Sequence, residues 1–218
     1  STQDRSSAAS DVYKRQIADD GFYTPLRSIR QIRETSGEIE FSYPYSVEQR
    51  MRPEPITLLK FALQQTFLTG TARGYSKKDI DKWNAGGKTG TSDDQRDSWF
   101  VGFAGDLLVL VWLGFDDNRP TVLTGRTGAF QVWKNFINDI NPVPTEKTKL
   151  QRIQYVWTDI EDGLLSGKSC RNSLLVPFIQ GTEPIKVPNV RKKCFTKNPS
   201  NNGAKIDKIK KIFEGGQG

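Results

Sequence analysis

Trp99-Phe100-Val101-Gly102-Phe103-Ala104, then Gly105-Asp106, then Leu107-Leu108-Val109-Leu110-Val111-Trp112-Leu113-Gly114-Phe115 constrains this chain more than any other stretch. Two apolar runs rich in β-branched and aromatic residues, separated by a two-residue turn signal, predict neighbouring antiparallel strands. Neither run alternates apolar with polar residues, so the sheet is expected to be covered on both faces. Helices must supply the cover. Pro53-Glu54-Pro55 opens one, with Ile56, Leu59, Leu63 and Phe67 at helical spacing and Gly70 as its stop. Gly128-Ala129-Phe130 starts another, whose buried stripe is read as Phe130, Trp133, Phe136, Ile137 and Ile140. The expected class is α/β (α+β), an antiparallel sheet with packed helices.

The rest of the chain is organised around that centre. Gly21 to Leu26 reads as a loop entering an extended stretch, Ile29 to Arg33. Ser36-Gly37 is a turn signal, and Ile39-Glu40-Phe41 returns as a hairpin strand. Ser76 to Asn84 is polar and reads as a surface connection. Asn141-Pro142-Val143-Pro144 ends the last helix and marks a domain boundary. The expected organisation is residues 17–141 as one domain, 142–195 as a loop-rich extension, and 196–218 as a basic, disordered tail. Residues 1–16 are set aside. Ser6 to Gln16 reads as the in-frame translation of a transposase sequencing adapter, whose end GATGTGTATAAGAGACAG gives Asp-Val-Tyr-Lys-Arg-Gln. On that reading the genuine sequence starts near Ile17, in the middle of a domain.

Absences narrow the chemistry. The 218 residues include no histidine, which removes Ser-His-Asp triads, Cys-His dyads and His-based metal sites from this chain. Acid–base work must fall to Lys, Asp, Glu or Tyr. The two cysteines, Cys170 and Cys194, fit a disulfide by count, which would point to an oxidising compartment; two unpaired thiols are the other reading. No apolar run approaches the roughly 20 residues of a membrane-spanning helix, and no signal peptide is visible. The net charge of +7 is concentrated late, where Lys186 to Lys211 holds nine basic residues against Asp207 alone. Few aromatics accompany them, so the stretch reads as a solvated tail rather than a nucleic-acid site.

Lys88-Thr89-Gly90-Thr91-Ser92 carries the chemistry. A lysine, hydroxyls and a bare glycine just before a strand hairpin can grip a carboxylate and polarise a carbonyl. Alone, a Lys-Thr-Gly triplet should occur by chance in about one chain in twenty of this length. Gly87-Lys88-Thr89 also matches the end of a nucleotide-binding P-loop, but that pattern needs glycine where Lys82 stands and a helix where Trp99 to Ala104 reads as strand. The flanks decide. Lys88 to Ser92, then Asp97-Ser98-Trp99-Phe100-Val101-Gly102-Phe103, then Val111-Trp112-Leu113-Gly114-Phe115-Asp116-Asp117 closely resembles the C-terminal half of the transpeptidase domain of bifunctional (class A) penicillin-binding proteins. Gly21 to Leu26 and Gly70-Thr71-Ala72-Arg73 precede it in the family's order. Leu175 to Ile179 and Gly181 to Pro184 are similar, more loosely, to the extension after that domain in Gram-negative members.

The resemblance implies a serine β-lactamase/transpeptidase-like fold, here incomplete, and a parent enzyme in the periplasm anchored in the inner membrane. It implies a serine enzyme that takes an acyl group from a D-Ala-D-Ala stem peptide of peptidoglycan and passes it to an amine of a neighbouring strand, and that is acylated by β-lactams. No cofactor, metal or nucleic acid is implied. Lys88 would supply positive field, Thr89 and Thr91 would bind the substrate carboxylate with Gly90 and Ser92 beside them, and the Thr91 N–H would serve the oxyanion hole. The family's S-x-x-K and S-x-N motifs precede its Lys-Thr-Gly. This chain has no S-x-x-K, and its S-x-N is Ser200-Asn201-Asn202, downstream. The chain alone is therefore expected to be inactive. A β-lactamase-like hydrolase and a non-catalytic peptidoglycan-binding or scaffold protein are the alternatives.

Overall fold

The structure is a computed structural model and describes residues 14–25, 27–145 and 150–185. They fall into two compact units that divide between Lys149 and Leu150. In the first, β1 (Phe22–Tyr23) pairs antiparallel with β4 (Glu48–Gln49), and β2 (Gln31–Arg33) with β3 (Ile39–Ser42) around the expected Ser36-Gly37 turn. Helix α1 (Pro53–Leu68) follows, with proline at its start and Glu54 in the first turn, both suited to a helix N-terminus. Next come α2 (Lys77–Trp83), β5 (Gly86–Thr91), β6 (Ser98–Ala104), β7 (Leu107–Leu113) and α3 (Ala129–Ile140).

β5, β6 and β7 form a three-stranded antiparallel sheet in that order. Lys88 stands opposite Val101, and Val101 opposite Leu110. β6 is buried almost throughout, as its unbroken apolar run predicts, while β7 is half-buried. The turn between them needs its glycine. Gly105 has φ +57°, and a Cβ there would run into the Val143 carbonyl. Its N–H donates to the Trp83 carbonyl at 2.6 Å, tying the hairpin to α2.

One aromatic cluster joins the layers. Phe67 of α1, Phe100 of β6, and Phe130 and Trp133 of α3 have ring centroids 5.0–6.4 Å apart, and all four are almost completely buried. The Trp133 indole N–H donates to the Gly102 carbonyl at 3.2 Å, so a polar atom in the middle of the core is satisfied.

Two expectations about the helices are corrected, and a third helix buries more than its apolar stripe. The polar stretch Ser76 to Asn84 is the helix α2, because Ser76 and Asp79 form a reciprocal capping box and Asn84 ends it in the left-handed conformation. Ile80 and Trp83 are buried, so a short apolar face under polar neighbours holds it down. On α3 the buried residues are Ala129, Phe130, Trp133 and Ile137, with Phe136 and Ile140 exposed. Phe136 lies about 100° round the helix from Ile137, and Ile140 is the last residue. On α1 the buried face is Ile56, Lys60, Gln64 and Phe67, with Leu59 and Leu63 half-buried. The Lys60 ammonium donates to the Ala18 carbonyl at 2.8 Å and to Asp20 at 2.6 Å, and the Gln64 amide to Asn84 at 2.7 Å. Pairing makes their burial tolerable.

The second unit is more regular than a loop-rich piece. β8 (Ile153–Asp159) and β9 (Ser173–Ile179) form an antiparallel pair with Val156 opposite Val176. Cys170 is disulfide-bonded. Cys194, and the basic run from Lys186, lie outside the described residues. Among the described residues no helix is long and apolar enough to cross a membrane.

Candidate active site

β5 is an edge strand: β6 lies on one side of it, and no strand on the other among the described residues. The Thr66 hydroxyl of α1 donates to the Gly87 carbonyl at 2.7 Å, so that carbonyl points away from β6. Backbone groups two residues apart along a strand point the same way. The main-chain groups of Thr89 and Thr91 therefore face the outer edge. The Lys88 ammonium reaches round to that edge and donates to the Thr89 carbonyl at 2.8 Å.

The side chains divide between the two faces, since strand side chains alternate. Lys88 is on one face, exposed. Thr89 and Thr91 are on the other, half-buried and exposed respectively. The Thr89 hydroxyl pairs with that of Thr71 at 2.7 Å. The Thr91 hydroxyl oxygen accepts the Gly125 N–H at 2.9 Å. Each arrangement leaves a hydroxyl hydrogen free. Two hydroxyls sharing one bond retain one O–H, and the Thr91 oxygen is used as an acceptor, so its own hydrogen remains to donate. An anion over this face can thus meet two O–H donors. Gly90, between them in sequence, carries no side chain on the opposite face, which leaves the strand open there beside Lys88.

Ser92 differs from its neighbours. Its oxygen accepts the Asp97 N–H at 2.7 Å and its own N–H donates to the Asp97 carbonyl at 3.2 Å, which closes the loop between β5 and β6. Asp97 in turn accepts the Trp112 indole N–H at 2.9 Å, so this loop is braced against β7. Ser92 has a structural task beside whatever ligand contact it makes.

Sequence reasoning gave no role to Thr71, Gly125 or Ser98. Gly125 packs so closely on the site that a Cβ there would lie 2.7 Å from the Gly90 carbonyl oxygen and 2.9 Å from the Thr89 Cβ. Only glycine fits. Ser98, fully buried, donates to the Thr124 carbonyl at 2.8 Å and accepts the Ala129 N–H at 2.9 Å, clamping loop 124–128 onto the sheet. Two glycines around Arg126 and Thr127 were the available signal; Gly128 was read only as a helix start.

Known proteins resemble this chain over the residues that form this edge. The sequence model of the penicillin binding protein transpeptidase domain matches residues 12–117. That match begins inside the stretch read as adapter. Penicillin-binding protein 1B of Haemophilus influenzae is 39% identical over 125 residues, which cover 57% of this chain and 16% of that protein. Penicillin-binding protein 1A of Aquifex aeolicus is 32% identical over 164 residues, covering 72% of this chain and 22% of the relative. The chain thus spans a small part of the relatives' length. Among solved structures, penicillin-binding protein 1A from Haemophilus influenzae superposes with a TM-score of 0.62 at 23% identity, over 79% of this chain and 31% of that one, and so shares the fold. Lys88 to Thr91, on an open sheet edge, lie inside the residues that match the penicillin binding protein transpeptidase domain, and over the part of the relatives' length that it spans the chain is similar to penicillin-binding proteins 1A and 1B.

Proposed function

We propose that this chain forms the carboxylate-gripping and oxyanion wall of a peptidoglycan D,D-transpeptidase. The observation that carries the reading is the outer edge of β5, where two hydroxyl donors, a lysine and a bare glycine border main chain that has no strand partner among the described residues. A D-Ala-D-Ala stem peptide would lie along that edge as an added strand, its terminal carboxylate over Thr89 and Thr91. The Thr91 N–H would meet the carbonyl oxygen as it becomes an oxyanion, a contribution of roughly 3 kcal/mol per donor in acyl-transfer enzymes. Lys88 would raise the positive field there. β-Lactams, which also carry a carboxylate beside a reactive carbonyl, would occupy the same place.

The serine nucleophile is not supplied by an S-x-x-K of this chain, which has none. The wall would serve a serine in a parent enzyme of the periplasm, anchored in the inner membrane. A disulfide at Cys170, with Cys194 as its partner, suits that oxidising compartment. Residues 17–141 would form the transpeptidase part and 142–195 the extension. Two measurements test the reading. Incubation of the purified chain with a fluorescent penicillin should give no covalent label, and a labelled band would overturn the missing nucleophile. Titration of the ¹⁵N-labelled chain with diacetyl-Lys-D-Ala-D-Ala should shift the amides of Thr89 to Thr91, and unmoved β5 amides would overturn the wall.

A further inference from the structure

The hydroxyl face of β5 is bordered by a loop that carries a cation of its own, other than Lys88. Lys88 leaves the strand on the opposite face, and its ammonium is already bound to the Thr89 carbonyl at 2.8 Å. The hydroxyl face is bordered instead by loop 124–128. Gly125 donates to the Thr91 hydroxyl at 2.9 Å and sits against the Thr89 Cβ and the Gly90 carbonyl. The next residue along is Arg126. Its backbone is fixed, since its carbonyl accepts the Gln131 side-chain amide at 2.9 Å and the flanking Thr124 and Thr127 are cross-bonded. Its side chain is exposed, and no carboxylate among the described residues pairs with it.

We propose that Arg126 is a specificity-determining residue of this site: its guanidinium binds the terminal carboxylate of the peptide from the face that carries Thr89 and Thr91. A planar guanidinium fork matches a carboxylate with two parallel N–H···O bonds, which the Lys88 ammonium, a point charge, cannot offer. The three groups then divide the work. The threonine hydroxyls fix where the carboxylate lies, Arg126 selects for its charge and planarity, and Lys88 remains at the strand edge for the acyl carbonyl. This inference rests on the reading that β5 takes a carboxylate-terminated peptide.

The test compares diacetyl-Lys-D-Ala-D-Ala with the same peptide ended as a primary amide, titrated into the ¹⁵N-labelled chain while the Thr89, Gly90 and Thr91 amides are followed. Arg126→Ala should weaken binding of the acid by about three- to fivefold, the range of a solvent-exposed ion pair, and leave the amide unchanged. The difference should shrink in about 1 M salt, where the screening length falls to roughly 3 Å. Arg126→Lys should bind the acid between wild type and Arg126→Ala. Lys78→Ala, which removes a like charge from exposed α2, should not change either peptide. Equal binding of the acid by wild type and Arg126→Ala overturns the inference and leaves the reading of β5 standing. Equal losses for acid and amide, or the same loss in Lys78→Ala, also overturn it. If neither peptide moves the β5 amides of the wild-type chain, the reading and the inference fall together.

Discussion

β5 and β7 are both edge strands of one sheet among the described residues, yet they are built from opposite materials. β5 is Gly-Gly-Lys-Thr-Gly-Thr and β7 is Leu-Leu-Val-Leu-Val-Trp-Leu. The β5 edge is served by small polar contacts, from Thr66 to the Gly87 carbonyl and from Lys88 to the Thr89 carbonyl. One face of β7 packs on the aromatic core through Leu107, Val109 and Val111. Its other face carries Leu108 and Leu110, which line an open cavity with Val101 and Lys60, and Trp112, which is 42% exposed. An edge kept open for a ligand is expected to be glycine-rich and charged. An apolar edge is sticky, and proteins ordinarily cover it. The same sheet therefore has one outer strand that is polar and glycine-rich and another that carries an apolar face.

The largest effect should come from the part both edges share. Trp133→Ala empties the centre of the aromatic cluster and removes the indole bond to Gly102 on the middle strand. It should cost about 3–5 kcal/mol in denaturant unfolding. A loss below about 1 kcal/mol would mean that the two edges do not hang on one core. Gly125→Ala acts on one edge only. Its methyl group would press on the Gly90 and Trp99 carbonyls at 2.7 and 2.8 Å, for about 1–3 kcal/mol of overpacking. Amide exchange should quicken at Thr89 to Thr91 and stay unchanged along β7. Equal quickening of both strands would erase the distinction between them.

That asymmetry also explains what could be read in the sequence. β6, β7, the turn at Gly105 and the starts of α1 and α3 were legible, because apolar runs and glycine or proline punctuation report local geometry directly. The family resemblance around Lys88 to Thr91 was legible through the flanks. Lys60 and Gln64 were not, because their burial depends on Asp20, Ala18 and Asn84, partners distant in the chain. Helix α2 was hidden by its charged residues, although its capping box was there to be found. The division of Lys88 from the two threonines could have been drawn from strand alternation. The contact of Gly125 with Thr91 could not, since a loop 34 residues away must first be folded onto the sheet by Ser98.

Leu110→Lys separates the edges from the other side. Leu110 faces away from the aromatic core and lines the cavity beside β7, so a charge there should cost little stability and reduce any concentration-dependent association of the chain. Sedimentation at several protein concentrations measures this, with peptide binding at β5 expected to stay the same. An association unaffected by the lysine would place the sticky surface elsewhere.

The smallest effect is a slope with pH. Tyr75 lies under α3 and touches Phe67, Phe130 and Trp133, and its hydroxyl donates to Asn138 at 3.2 Å. Burial, and secondarily the Asp79 carboxylate, pushes its phenol from 10.0 up to about 12. The unfolded chain then releases this proton first, so over that window the folded state holds more protons and stability falls as pH rises. The contribution is fully present below pH 10.0 and is lost through about pH 12. Tyr75→Phe should flatten that fall in unfolding measurements. Because Tyr75 belongs to the core under the whole sheet, β5 and β7 should lose amide protection together in the wild type as pH rises. If β5 loosens first while β7 holds, the open edge has its own stability, and the sheet is two devices sharing a strand.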